Sequence, residues 1–329
     1  MDYFKSFSSR LSHLRENDFE DAALELFHFQ VRHNKVYEAF VKARKIPQDQ
    51  VKNIQEIPFL PIQFFKSAPV VSGPESLFNK FYSSSGTTGI ITSKHYIWSE
   101  TFYLEHAQKL FEQQYGSLKD FHILALLPSY LEREGSSLVA MADYFIQKSE
   151  SEYSGFYLYN HGDLIDKLNG LTSSNKKVLL IGVTFALLDL AEKTLPNMSN
   201  LVVMETGGMK GRKREMIREE VHEILVRTFG THEIHSEYGM TELMSQAYST
   251  GGGKFTLPTC MRVLLRDTYD PFHFGNKAQG GINVIDLANF HSCAFIETQD
   301  LGRYDGEGKL EILGRFDNSE VRGCNLMVN

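Results

Sequence analysis

The sequence predicts an α/β fold with a mainly parallel sheet flanked by helices, and three observations predict it. Short apolar runs at 122–127, 177–181 and 200–204 read as buried strands, because strands covered on both faces are nearly continuous in apolar residues. Helical stretches at 134–147, 185–193 and 212–229 alternate with them, as crossover connections between parallel strands require. From about residue 255 β-formers and turns take over, including 280–285 and 294–297, so a small β-rich lobe is expected over 255–329.

The elements follow in chain order. Residues 1–56 read as a helical segment packed on the body. Phe19, Ala22, Ala23, Leu26, Phe27, Gln30 and Val31 recur at intervals of three and four, with Asn17 or Asp18 placed to cap the start. Such a face could also meet a partner or a membrane surface, but burial against the rest of the chain is the commoner use. Pro58, Pro61 and Pro69 mark an extended connector into an α/β core spanning 57–254. Three strand ends are followed directly by polar or glycine residues: Pro128 to Tyr130, Gly182 to Thr184, and Glu205 to Gly208. Open α/β sheets bind ligands at that position.

Composition is that of an ordinary globular protein. Its 34 Lys and Arg against 41 Asp and Glu leave a net charge of −7, which argues against nucleic acid as the main partner. The three cysteines, Cys260, Cys293 and Cys324, are odd in number and lack a Cys-x-x-Cys spacing, so neither a disulfide framework nor a zinc site is indicated. His232 and His235 find no cysteine or carboxylate to complete a metal site. No run approaches 18 apolar residues and the N-terminus lacks a signal-peptide core, so a cytoplasmic protein without integral membrane association is expected.

Ser83, Ser84, Ser85, Gly86, Thr87, Thr88 and Gly89, followed by Lys94, form a run of hydroxyls and glycines that returns to β-formers. Glycines let backbone N–H groups turn toward an anion, the hydroxyls donate further bonds, and a lysine adds a point charge. The spacing departs from the common P-loop, and on composition alone a solvated turn fits as well. A second string, His235-Ser-Glu-Tyr238-Gly239-Met-Thr241-Glu242, brings an aromatic face, a glycine, a hydroxyl and a carboxylate within five residues. All four are useful at an ATP site.

At these two motifs the chain resembles the adenylate-forming superfamily of acyl and aryl CoA ligases, luciferases and nonribosomal peptide adenylation domains. The string Leu127-Pro-Ser-Tyr-Leu-Glu-Arg-Glu134-Gly-Ser-Ser-Leu138 narrows the likeness to the acyl-protein synthetase component of bacterial luminescence fatty-acid reductase complexes. Ile57-Pro-Phe-Leu-Pro-Ile-Gln-Phe-Phe-Lys66 and Gly314-Arg315-Phe-Asp317-Asn-Ser-Glu-Val-Arg322-Gly-Cys324-Asn325 extend it over most of the chain.

The resemblance implies the large N-terminal part of the adenylate-forming fold and activation of a fatty or related carboxylic acid by ATP and Mg²⁺. Ser83 to Gly89 with Lys94 would hold the β- and γ-phosphates. Tyr238, with Gly239 beside it, would lie against adenine, and Gly207 and Gly208 would form the other wall of that slot. Thr241 would touch the α-phosphate, Glu242 would hold Mg²⁺, Asp300 would accept bonds from the ribose hydroxyls, and Arg315 would be its basic neighbour. Residue type alone also allows a helix cap or ion pair at Glu242, a core aromatic at Tyr238 and a turn aspartate at Asp300. The basic run Lys210, Arg212, Lys213 and Arg214 fits a solvated helix start.

CoA ligases carry their adenylation lysine on a mobile C-terminal domain of roughly a hundred residues. This sequence ends twelve residues after Asp317, so that domain is expected to be absent or vestigial. In acyl-protein synthetases a cysteine near the C-terminus takes the acyl group, a role that falls on Cys324. Cys260 and Cys293 read as small buried residues. Three functions follow: an acyl-protein synthetase delivering its thioester to an acyl reductase or another acceptor, a compact CoA or carrier-protein ligase of the phenylacetate-CoA-ligase kind, and a non-catalytic nucleotide- or acyl-binding subunit.

Overall fold

A computed structural model of the protein describes residues 2–84, 92–128, 135–207, 216–268 and 278–315. The chain first forms β1 (Leu60–Pro61) and a hairpin of β2 (Lys80–Ser83) and β3 (Lys94–Ile97). The parallel half of the main sheet follows, with β4 (Phe121–Leu126), β5 (Gly155–Tyr157), β6 (Lys177–Val183), β7 (Leu201–Thr206) and β8 (His235–Tyr238). In space these run β5-β4-β6-β7-β8, and every neighbouring pair is parallel.

β4, β6 and β7 are the three apolar runs, and β4 is buried along its whole length. Their ends differ from the sequence reading. β7 continues through Glu205 and Thr206 because these pair in register with Gly182 and Val183 of β6, although their polar side chains end the apolar run at Met204. The predicted helices appear as Ser137–Lys148, Thr184–Leu190 and Arg218–Phe229. The first starts where the Ser136 hydroxyl accepts from Val139 N. The last stops at Gly230, whose φ of 65° is a left-handed conformation that glycine adopts without a Cβ penalty. Glu134, Tyr130 and the basic run at 210–214 lie outside the described residues.

The β-rich C-terminal portion continues the same sheet. β9 (Ala247–Ser249), β10 (Lys254–Thr256), β11 (Met261–Arg266), β12 (Gln279–Asp286), β13 (Phe295–Tyr304) and β14 (Leu310–Arg315) extend it in the order β8-β9-β10-β14-β13-β12-β11. Each of these pairs is antiparallel, and β1 adds to β13 in parallel. The sheet is therefore mixed, parallel up to β8 and, apart from the β1–β13 pair, antiparallel beyond it.

The N-terminal helix Phe19–His33 buries all seven residues of its predicted face. Gln30 is among them because its amide is fully used: Nε2 donates to Asn289 O and Phe290 O, and Oε1 accepts from Ala294 N. Asn34 Nδ2 donates to Ser292 O, and Phe4 and Phe7 pack on Phe290. This helix, its C-cap Asn34 and the preceding helix Asp2–Leu11, which carries Phe4 and Phe7, thus cover the 289–294 segment. The expected cap is corrected: Asp18 occupies the N-cap position but its carboxylate binds Arg15 at 2.7 Å, and Asn17 sits in the preceding 3-10 turn Glu16–Asp18. No helix among the described residues is long and apolar enough to cross a membrane.

Candidate active site

Strands β2 and β3 clamp the two ends of segment 85–91. Ser83 N donates to Gly135 O at 2.8 Å, Ser84 N to Ser93 O at 3.1 Å, and Ser93 N to Ser84 Oγ at 2.9 Å. The Ser84 hydroxyl, accepting here, keeps its own hydrogen for another partner. Lys94 stands opposite Ser83 in the ladder, its ammonium 5.0 Å from the centre of the Phe81 ring. Ser85, Gly86, Thr87, Thr88 and Gly89 lie outside the described residues.

The second motif begins on β8 and ends in a tight turn. Tyr238 is buried, edge-on to Phe255, and its hydroxyl donates to Asp300 Oδ2 at 2.8 Å. Burial and the Asp300 carboxylate push the Tyr238 phenol well above its ordinary range. Asp300 reaches Tyr238 because β13 crosses the sheet beside β14, where Arg315 Nε lies 3.4 Å from Asp300 Oδ1. A Cβ at Gly239 would run into Glu237 Oε1, so a side chain there would have to displace the Glu237 carboxylate.

After Tyr238 the chain turns without entering a helix, with Leu243 N bonding to Met240 O, so Glu242 is not a helix cap. Side chains from elsewhere in the chain fix this turn. His95 Nδ1 lies 2.8 Å from Thr241 O, and Asn289 Nδ2 donates to Glu242 O at 2.7 Å. Asp286 accepts from Met244 N, Ser245 N and Ser245 Oγ at 2.8, 3.0 and 2.7 Å. Glu242 itself is 5% exposed. Burial raises its carboxyl pKa, against lowering by the Ser93 side chain, its own backbone N–H and the charges of Arg315 and Lys66. A buried carboxylate oxygen is a hard donor of the kind a divalent cation takes, and the charge of such a cation would restore the ionised form.

A polar layer lies behind the turn. Thr206 Oγ1 donates to Glu237 Oε2 at 2.5 Å, and Thr184 Oγ1 to Glu205 Oε2 at 2.9 Å. Arg218 is 3.3 Å from Glu205 Oε1. Despite its burial Glu205 is held down to about 2 by His222, Arg218 and Ser236, whereas burial raises Glu237 to about 7 with Glu205 adding to it. Gly207 follows β7 with φ of 76°, and Gly208 lies outside the described residues.

The structure therefore brings Tyr238, Asp300, Arg315, Thr241 and Glu242 together and ties them to the hairpin carrying Ser83, Ser84 and Lys94. Reading the sequence missed His95, Asp286, Asn289, Glu205 and Glu237. His95 next to Lys94, Glu237 next to Tyr238 and Glu205 at the start of the segment Glu205 to Gly208 had neighbours that could have drawn attention to them, whereas Asp286 and Asn289 had none. Cys260 and Cys293 are buried, as read, and burial pushes both thiols up to about 12. Cys324 lies outside the described residues.

No protein-family model matches this chain, and no curated protein sequence does. Solved structures do resemble it. 2-Hydroxyisobutyryl-CoA ligase, in complex with 2-HIB-AMP and CoA, superposes with a TM-score of 0.69 at 15% identity over 92% of this chain and 69% of that one. ATP-bound MatB from Rhodopseudomonas palustris gives 0.53 at 17% identity over 74% of this chain and 49% of that one. O-succinylbenzoate coenzyme A synthetase (MenE) from Bacillus subtilis, with ATP and magnesium ion, gives 0.52 at 17% over 71% and 49%. The chain spans about half the length of MatB and MenE. Its fold is that of the N-terminal domain of adenylate-forming ligases.

Proposed function

We propose that the protein activates a carboxylic acid with ATP, forming an acyl-adenylate and pyrophosphate. The observation that supports this reading best is the convergence at the end of β8: Tyr238 bonded to Asp300, and Glu242 buried in the next turn, with Arg315 acting on both. Tyr238 would face the adenine and Asp300, steadied by Tyr238 and Arg315, would accept bonds from the ribose. Ser83, Ser84 and Lys94 with segment 85–91 would hold the β- and γ-phosphates, and Thr241 would reach the α-phosphate. Magnesium held at Glu242 would supply charge that offsets the phosphate oxygens.

A carboxylate oxygen then attacks the α-phosphorus. A C–O–P bond forms, the bond to the bridging oxygen breaks, and its electron pair leaves with pyrophosphate. The mixed anhydride is open to a thiolate, which takes the acyl group as a thioester and releases AMP.

In our reading Cys324 supplies that thiolate and passes a fatty or related acyl group to an acyl reductase or another acceptor. The buried state of Cys260 and Cys293, with thiols near 12, supports this choice, because a buried neutral thiol is inert. A compact CoA or carrier-protein ligase is the second reading, favoured by the likeness to a CoA-bound ligase over 92% of the chain. Incubation with ATP, magnesium and a panel of acids tests the proposal: acid-dependent pyrophosphate release is expected, and phosphate release without pyrophosphate contradicts it.

A further inference from the structure

Two consecutive carbonyls, Thr241 O and Glu242 O, are each taken by a buried side chain from a distant part of the chain. The two donors come from different structures. Asn289 belongs to the segment braced by the N-terminal helix through Gln30, whereas His95 belongs to β3, the outgoing arm of the hairpin around 85–91. A carbonyl oxygen can only accept, so His95 Nδ1 carries the hydrogen. Burial lowers the ring to about 4, which keeps it neutral, and the Thr241 carbonyl fixes the tautomer. The ring itself is held in place, stacked on His291 at 5.7 Å with the planes 15° apart and edge-on to Phe65.

We infer that His95 is a positioning residue that ties strand β3 to the Thr241–Glu242 turn, so that a nucleotide reaching the turn meets Thr241 and Glu242 already in place. The inference rests on the nucleotide site of the proposed function, but it requires only that magnesium-ATP binds there. His95 touches no reacting atom and acts through the backbone of Thr241. Without this bond the Thr241 carbonyl loses its side-chain donor, and of the hairpin's side chains Ser93 still acts on the turn, through the Glu242 carboxylate.

Three substitutions separate positioning from packing. In His95→Asn the amide nitrogen falls where Nδ1 stood, in His95→Gln it falls where Nε2 stood, and His95→Phe keeps a ring without a donor. Magnesium-ATP affinity of the full chain is measured by calorimetry, and pyrophosphate release is followed with varied acid. The asparagine variant is expected to bind within about threefold of the parent. The glutamine and phenylalanine variants are expected to bind about tenfold more weakly, the equivalent of one lost hydrogen bond, with the KM for acid unchanged. Thermal unfolding checks that each variant folds, and if the phenylalanine variant does not, the asparagine and glutamine pair decides. Equal affinity in the glutamine variant and the parent, or an asparagine variant as weak as glutamine, overturns the inference. A parent that binds magnesium-ATP but releases no pyrophosphate overturns the proposed acid activation and leaves the His95 comparison readable. A parent that binds no magnesium-ATP overturns both.

Discussion

The Tyr238 hydroxyl donates to Asp300 Oδ2 at 2.8 Å, joining the end of β8 to the middle of β13 across 62 residues of sequence. Both groups are buried, so the bond is a charge-assisted one in a weakly polar setting and fixes the direction of the carboxylate. Asp300→Ala is expected to weaken ATP binding by about 1.5–3 kcal/mol, the range for a hydrogen bond to a charged group. Acid selectivity should not change. Calorimetry checks this, and equal ATP affinity in variant and parent places the ribose elsewhere.

Glu242→Ala is expected to abolish magnesium-dependent pyrophosphate release while the protein stays folded. The fold should tolerate the change because burial already disfavours this carboxylate, as its raised pKa shows. A variant with parental activity and the same response to magnesium removes Glu242 from the mechanism. A melting temperature well below the parent's shows that Glu242 has a structural role instead.

The polar layer behind the turn predicts a pH dependence of stability. Burial raises the Glu237 carboxyl from 4.5 to about 7, so the folded chain binds this proton more tightly than the unfolded chain does. Its contribution is full below pH 4.5 and is lost as pH rises to about 7, about 3 kcal/mol at 1.36 kcal/mol per unit. Glu205, lowered to about 2, works in the opposite sense, contributing above 4.5 and losing that contribution as pH falls toward 2. Glu237→Gln should therefore gain stability relative to the parent between pH 5 and pH 8 in denaturant titrations. A constant difference between the two pH values rules out a protonated Glu237.

Cys324→Ser is expected to make pyrophosphate and acyl-adenylate as the parent does, but to lose the mass increment of a bound acyl chain and its hydroxylamine-sensitive label. Labelling of the serine variant equal to that of the parent favours the ligase that uses a diffusing thiol.

Local periodicity made much of the fold legible. The face of helix Phe19–His33 was readable because all seven positions repeat at helical spacing, and β4, β6 and β7 because buried parallel strands are apolar throughout. The extension of β7 through Glu205 and Thr206 was not readable, since pairing with β6 and not hydrophobicity sets its end. The continuation of the sheet from β8 to β11 depends on pairings such as Phe255 with Leu310, which no local pattern encodes. In the site, Tyr238, Thr241, Glu242 and Asp300 stood out as motif residues. The side chains that hold the turn did not: His95 and Thr241 are 146 residues apart, and Asp286 reads as an ordinary strand-end aspartate until Met244 and Ser245 fold onto it.

The central claim is that this site forms an adenylate. Its most direct test is exchange of radiolabelled pyrophosphate into ATP, which requires formation and reversal of an acyl-adenylate but no thiol acceptor. With magnesium and a suitable acid from a panel of fatty, hydroxy and aryl acids, the protein is predicted to catalyse acid-dependent exchange, which Glu242→Ala abolishes. ATP binding without exchange for any acid in the panel would contradict the claim and leave a nucleotide-binding protein that performs no acid activation.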